Sequence, residues 1–387
     1  MMRMVDKFVA TLALAVGAAN VPAQWVLQNS NTTSDLRGIH SVDGKVAWAS
    51  GTNGTVLRTV DGGLNWQACA IPPGAEKLDF RGVQAFDAKT AIVMSSGKGD
   101  LSRLYKTTDG CATWKLVFKD PDKEGFFDAL HFSDFDPKYG LGWLLGDPVG
   151  GKFALFRTED GGRNWYRQLS KGLHADAATQ GAFAASNSSI MGGPSGYIAF
   201  ASGGTGGAFV YEISSFVVLV DGSFENSDYE GRHTVWARVE LPLGNKTAGS
   251  GVFSVSGHQT NEAGYHMEPT LAVGGDYTKP NESSGTAAFS IDRGKTWAAA
   301  ETMPGGYRSA VAYDAGAEAW ITVGPNGTDI STDDGKNWRA LQPDVGRGEA
   351  ADADRNWNAL SLPFVVGPKG RIGKRAEGSG ARKVVKQ

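Results

Sequence analysis

The chain has 387 residues and a formal net charge of −3, from 38 Lys and Arg against 41 Asp and Glu. That near balance lacks the basic stripe that nucleic-acid binding requires, so nucleic acid is excluded as the expected partner. With 41% hydrophobic residues and 53 glycines spread over regular turns, the composition is that of a folded, turn-rich all-β protein rather than a low-complexity chain.

In chain order, the first segment reads as a targeting signal. Arg3 and Lys7 make a weakly basic start diluted by Asp6, and residues 8–19 are an apolar run of twelve, too short to cross a bilayer as a helix. Val21-Pro22-Ala23 then offers small residues at a cleavage site. The expectation is a signal peptide over 1–23, cut near Ala23, and an exported protein, periplasmic or extracellular. No later segment is long and apolar enough for a transmembrane helix.

Trp25-Val26-Leu27-Gln28 looks like a fourth strand without the three before it. The first full unit follows. Residues 36–41 and 45–50 are predicted strands, 51–54 (Gly-Thr-Asn-Gly) a turn, 55–59 a third strand and 66–70 a fourth. The same four-stranded order recurs over 79–118, 127–169 and 308–341. Two looser units span 182–240, with a long polar loop at 221–233, and 251–300, with an insertion at 275–285. The last unit, 357–374, stops before a fourth strand, so Trp25 to Gln28 is expected to complete it. Beyond Gly373 the tail is basic and is expected to be disordered, over 374–387.

One phrase marks the repeats: Ser/Thr-x-Asp-x-Gly-x-x-Trp. It begins at Thr59, with Asp61 and Trp66, and returns with Asp109 and Trp114, Asp160 and Trp165, Asp292 and Trp297, and Asp333 and Trp338. Trp25 and Trp236 open matching runs without it. Successive members of this tryptophan series lie 41, 48, 51, 71, 61 and 41 residues apart. A period of that size, filled with short strands, is the signature of a propeller. The fold expected over 24–373 is therefore an all-β, seven-bladed β-propeller of four-stranded antiparallel blades, closed by the N-terminal strand. Length alone would have suggested two or three domains; blades sharing one ring replace that expectation. A monomer is expected.

The two cysteines are Cys69, just after Trp66, and Cys111, which stands where the second phrase should have glycine. In an exported protein an even count permits a disulfide. The two positions belong to neighbouring blades toward the same end, so a bridge is expected; two thiols that merely pack are the alternative.

The phrase resembles the Asp-box, or BNR repeat, of sialidases, sortilin-type receptors, some glucanases and the photosystem II assembly and stability factor family. The resemblance covers nearly the whole chain after the signal, and the overall pattern is most similar to the exported bacterial propellers of that last group. It implies a binding or assembly protein whose Asp-boxes lie on the face away from the functional one. The boxes themselves read as turn braces: Asp and Ser/Thr bond backbone groups, glycine supplies positive φ, and tryptophan is buried between blades.

If the phrase joins third to fourth strands on one face, the loops before the first strand and between second and third strands share the other. The first set holds Arg37, Arg81 and Arg308 at similar points, with Asp79, Asp128 and Tyr307 beside them; the second holds Asp147, Asp276 and Tyr277. Convergent arginines suit a carboxylate, a phosphate or an acidic protein surface. Alternatively, they pair with local aspartates and seal the channel. The binding residues expected are Arg37, Arg81, Arg308, Tyr307, Asp276 and Tyr277, with a protein or glycan ligand. The rival function is a glycoside hydrolase using Asp79, Asp128 or Asp147. Against a sialidase, the early Arg-Ile-Pro element is missing, its nearest match being Arg371-Ile372-Gly373, and seven blades replace six. No cofactor and no metal is expected: His131, His174, His233, His258 and His266 show no ligand spacing, and the Gly-rich run 203–208 has no helix after it.

Overall fold

The computed structural model describes residues 25–133, 138, 140–168, 170–193, 197–218, 232–259 and 267–376. The expected signal 1–23, the polar loop through residue 231, His266 and the tail beyond 376 lie outside them.

Seven antiparallel sheets follow one another around a ring, as the repeats require. Blade 1 runs through Leu36–Ser41, Ala47–Gly51, Val56–Thr59 and Gln67–Ala68; blades 2, 3, 5 and 6 repeat that order from Phe80, Phe127, Ser250 and Ala310. Blade 7 takes three strands from the C-terminal end, Ala359–Ser361, Phe364–Val366 and Ile372–Arg375, and its fourth, Trp25–Gln28, from the N-terminal end. The closing ladder pairs Trp25 with Arg375 and Gln28 with Ile372. Trp25 is buried edge-on to Trp357, with centroids 6.2 Å apart. Closure in this way covers two strand edges that would otherwise be open to other chains.

Two details depart from the sequence reading. Blade 4 carries five strands, because Ser170–Lys171 pairs parallel to its outer strand Arg232–Glu240. The basic tail also starts later than expected. Lys374 and Arg375 belong to the closing ladder, where the Lys374 ammonium donates to the Gly62 carbonyl (3.0 Å) and Arg375 pairs with Asp314. Both cationic heads are engaged by the fold, so the sign of the side chain was a poor guide to disorder there.

The core is divided as a ring demands. Seven apolar clusters each join two neighbouring blades. Second strands such as Ala47–Gly51 and Ala91–Ser95 are buried along their whole length, because both faces of each sheet meet a neighbour.

The five Asp phrases close third-to-fourth-strand turns with one bond set. In blade 1 the Thr59 hydroxyl donates to Asp61 (2.9 Å) and accepts the Gly63 N–H (2.9 Å), while Asp61 accepts the Asn65 N–H (3.0 Å) and side-chain amide (2.8 Å). Blades 2, 3, 5 and 6 reproduce it at Asp109, Asp160, Asp292 and Asp333. Bonds from Asn65 and Thr113 hold the Asp61 and Asp109 carboxyls down at about 2. The tryptophans pack across blade boundaries, Trp66 on Phe364 and Trp114 on Trp48. Cys111 occupies the glycine position with φ of 69°. It is bonded to Cys69 with a Cα–Cα separation of 5.3 Å, tying blade 2 to blade 1.

Candidate functional site at the channel mouth

Antiparallel order places the phrase turns on the same face as the first-to-second-strand loops, and backbone bonds confirm it: Gly62 N–H to Lys45 O, Gly110 N–H to Lys89 O, and Gly161 N–H to Gly140 O. The opposite face, where each innermost strand begins, forms the mouth of the central channel.

A β-bulge opens the innermost strand in four blades. Register slips between Leu36 and Gly38, Phe80 and Gly82, Phe127 and Ala129, and Val252 and Ser254. The extra residue in each is re-aimed out of the ladder, as bulges near functional sites do. Those residues are Arg37, Arg81, Asp128 and Phe253. Ring-wise hydrogen bonds give the equivalents in blades 6 and 7. Leu36, Arg308 and Trp357 each donate their N–H to a glycine carbonyl of the preceding blade, Gly367, Gly274 and Gly324. Arg308 is therefore the counterpart of Leu36, not of Arg37, and the bulge-equivalent positions are Ser309 and Asn358.

This corrects the three-arginine expectation. A shift of one residue turns a side chain to the other face of a strand, and Arg308 is 1% exposed. Its guanidinium engages the Asp329 carboxylate through Nε (2.7 Å) and Nη2, and donates to the Tyr307 carbonyl (2.9 Å). It braces blade 6 and is closed to a ligand. Tyr307 is likewise buried, its ring edge-on to Phe253 at 4.7 Å, and burial raises its phenol above the usual range. Asp276 is taken up by its own turn, accepting from the Thr278 N–H (2.9 Å) and the Thr247 hydroxyl (2.8 Å). Tyr277 alone of this group is open, at 55% exposure, with its ring against Phe253.

Arg37 and Arg81 do converge. Each side chain is 31% exposed, and Asp79 stands between them, 2.8 Å from Arg81 Nε and 3.8 Å from Arg37 Nε. Arg37 Nε and Asp79 Oδ1 are buried and face each other at 3.8 Å, an ion pair beyond hydrogen-bond distance, so Arg37 is held less tightly than Arg81.

The sequence reading missed the element that fills the channel. Gly181 pairs with Gly203, and the innermost strand of blade 4 resumes only at Ile190; residues 182–188 cross the opening between them. Arg81 Nη1 donates to the Ala184 carbonyl (3.1 Å). The Asn187 side chain exchanges two bonds with the Leu130 backbone (2.8 and 3.0 Å). Ser186 reaches the Ser309 carbonyl (2.7 Å), Ser188 the Ser254 hydroxyl (2.8 Å), and Phe183 stacks on Phe253 at 3.9 Å. One loop thus touches blades 2, 3, 5 and 6 and plugs the mouth. Its small polar residues carry no motif; the excess length of this unit was the only signal.

The three acid candidates separate by environment. Asp79 is the shared anion of the two arginines. Asp128 is 1% exposed with Oδ2 unpartnered, and burial, then the nearby Asp147 charge, raises its carboxyl well above the ordinary range. Asp147 accepts the Ala182 N–H at the root of the plug (3.0 Å), and burial pushes it up to about 6. Among the described residues no group of three or more His, Cys, Asp or Glu is placed to hold a metal, and no helix is long and apolar enough to cross a membrane.

No protein-family model matches this sequence, and no curated protein is similar to it. Solved structures share its fold. YCF48 bound to D1 peptide superposes with a TM-score of 0.55 at 17% identity, over 92% of this chain and 97% of that one. YCF48 from Cyanidioschyzon merolae gives 0.54 at 20% identity, over 91% and 99%.

Proposed function

We propose that this chain is a non-catalytic binding propeller, of the assembly-factor kind, that holds a protein partner on its plugged mouth. The observation that carries the reading is the pair Arg37 and Arg81. Bulges in two adjacent blades aim them into the mouth, Asp79 and the plug backbone fix them, and each side chain stays 31% exposed. A guanidinium pair held in advance binds carboxylates at little conformational cost. Across the mouth, the partly exposed Phe183 and the exposed Tyr277, both packed on the buried Phe253, add an aromatic surface of the kind that anchors peptides. YCF48, which shares the fold, is bound to D1 peptide in one of those structures, and the Asp-box resemblance points to the same class of propeller. Export is part of the proposal, from the leader over 1–23 and the Cys69–Cys111 bridge, as is a monomeric state.

A glycoside hydrolase fits this mouth poorly. Asp128 is sealed, Asp147 is tied to the plug, and Asp79 is neutralised by two arginines, so none of these three candidates is an open acid facing a second open carboxylate. The deciding experiment pairs a pull-down from the native extract, using wild type and the Arg37→Ala/Arg81→Ala variant, with a turnover panel of sialosides and β-glucans. The expected result is a protein retained by the wild type alone and no turnover. Turnover abolished by Asp128→Asn or Asp147→Asn, or a partner retained equally by both proteins, would overturn the reading.

A further inference from the structure

A buried acid pair lies on the blade next to Arg81. Asp128 occupies the bulge of blade 3, one blade along from Arg81. Asp147 follows Gly146, the register partner of Phe127, and its N–H bonds the Phe126 carbonyl (2.9 Å). The two acids are thus carried on adjacent strands, and the Asp147 charge makes Asp128 harder to ionise. Arg81 opposes that effect on Asp128 from blade 2, and Asp120, on the connection from blade 2 to blade 3, adds to it. Asp147 faces Asp128 and the plug backbone at Ala182. Deeper in the channel, burial lowers His40 and His131 to about 4, so neither changes charge between pH 5 and 8.

We propose that the mouth is proton-linked: Asp128, backed by Asp147, takes up a proton when an anion binds beside Arg81, so the site holds an anionic partner more tightly in acid. This rests on the reading of Arg37 and Arg81 as contact residues. Arg81 already serves Asp79 through Nε and Ala184 through Nη1. An anion on its open side weakens its hold on the Asp128 charge, and protonation relieves the crowding. Linkage is reciprocal, so protonating Asp128 must strengthen anion binding by the same factor.

Two measurements on the whole protein test this. In the first, without ligand, the Arg81 Nε–H resonance of labelled protein is followed from pH 5 to 8. It should titrate in the wild type and in Asp120→Asn, whose carboxyl lies outside the pair, and stay flat in Asp128→Asn. In the second, inorganic sulfate, whose own charge is constant over this range, is titrated at pH 5 and pH 7.5. Wild type should bind it roughly 3- to 10-fold more tightly at pH 5, the factor given when anion binding raises the proton affinity of Asp128 by that same roughly 3- to 10-fold. Asp128→Asn should bind it equally at both. A flat Arg81 resonance in the wild type, a titration that survives in Asp128→Asn, or sulfate affinity independent of pH would overturn the proposal. A titrating Arg81 with no sulfate bound at either pH would leave the coupling standing and instead remove the anion-binding reading of the mouth.

Discussion

The two ends of this ring are built by opposite rules. On one end, five turns repeat a single bond set around Asp61, Asp109, Asp160, Asp292 and Asp333. On the other, one position at the entry to the innermost strand, a bulge in four blades, carries Arg37, Arg81, Asp128 and Phe253 there and Ser309 and Asn358 at the equivalent points of blades 6 and 7, and blade 4 interrupts it with a plug. Folding sets identical demands on every blade, so residues that answer those demands repeat. A position where the backbone is the same and the side chain is not has been released from that demand, and its chemistry is free to serve something outside the fold.

If that division holds, damage to the repeated framework should cost stability first. The largest effect is expected from deleting Trp25–Gln28. It removes the outer strand of blade 7 and the buried Trp25, whose loss alone as a Trp→Ala change would cost about 3–5 kcal/mol, and leaves the edge of Ile372–Arg375 open. Cooperative unfolding should be lost or shifted far down in temperature; an unchanged melting temperature would show that the ring closes without this strand. Arg308→Ala comes next, at about 3–5 kcal/mol, because it strands the buried Asp329 charge. Denaturant unfolding measures it, and a near-neutral result would mean that Arg308 is open to solvent. Replacing Cys69 and Cys111 by serine should cost about 2–4 kcal/mol for a bridge spanning 42 residues. Peptide mass spectrometry of unreduced material checks the bridge directly, and two freely alkylated thiols would remove it.

A smaller loss, about 1–2 kcal/mol, is expected for Asp333→Ala, which unmakes the bonds of one phrase turn, with partner binding unchanged. Loss of binding in a folded Asp333→Ala protein would break the comparison outright, since it would put function on the repeated face.

The architecture was legible in the sequence because it depends on that repetition. Five copies of one phrase fix blade size, turn type and which face each loop joins, and the missing fourth strand of the last unit pointed to Trp25. The mouth was legible only in part. Arg37 and Arg81 share the local pattern Asp-x-Arg-Gly, residues 35–38 lacking only its Phe and residues 79–82 reading Asp-Phe-Arg-Gly, and both reach the mouth. Tyr307-Arg308-Ser309 lacks that glycine, and without the ladder its register could be placed one residue off, which is enough to turn an open cation into a buried ion pair. The plug was illegible for a different reason: apart from Phe183, Ala182 to Ser188 are ordinary small residues, and their position depends on contacts with four other blades, 57 to 123 residues away in sequence.

The smallest stability change and the largest functional one should come from the same protein, Arg37→Ala/Arg81→Ala. Both side chains are 31% exposed, and ion pairs at that exposure contribute about 0–1 kcal/mol each. Removing both leaves Asp79 partly open and able to keep its hydration, so the melting temperature should move by only a degree or two on the usual scaling. The plug loses one bond, from Arg81 to Ala184, but keeps those of Ser186, Asn187 and Ser188 to blades 6, 3 and 5. Partner retention should nonetheless fall below detection, because the lost groups are the pre-fixed donors of the mouth. Calorimetry and the pull-down on the same preparation separate the two quantities. If binding survives while stability is unchanged, the contact lies elsewhere on that face, with Tyr277 the next residue to remove; if stability collapses, Arg37 and Arg81 belong to the framework after all, and the boundary between the repeated and the released positions has been drawn in the wrong place.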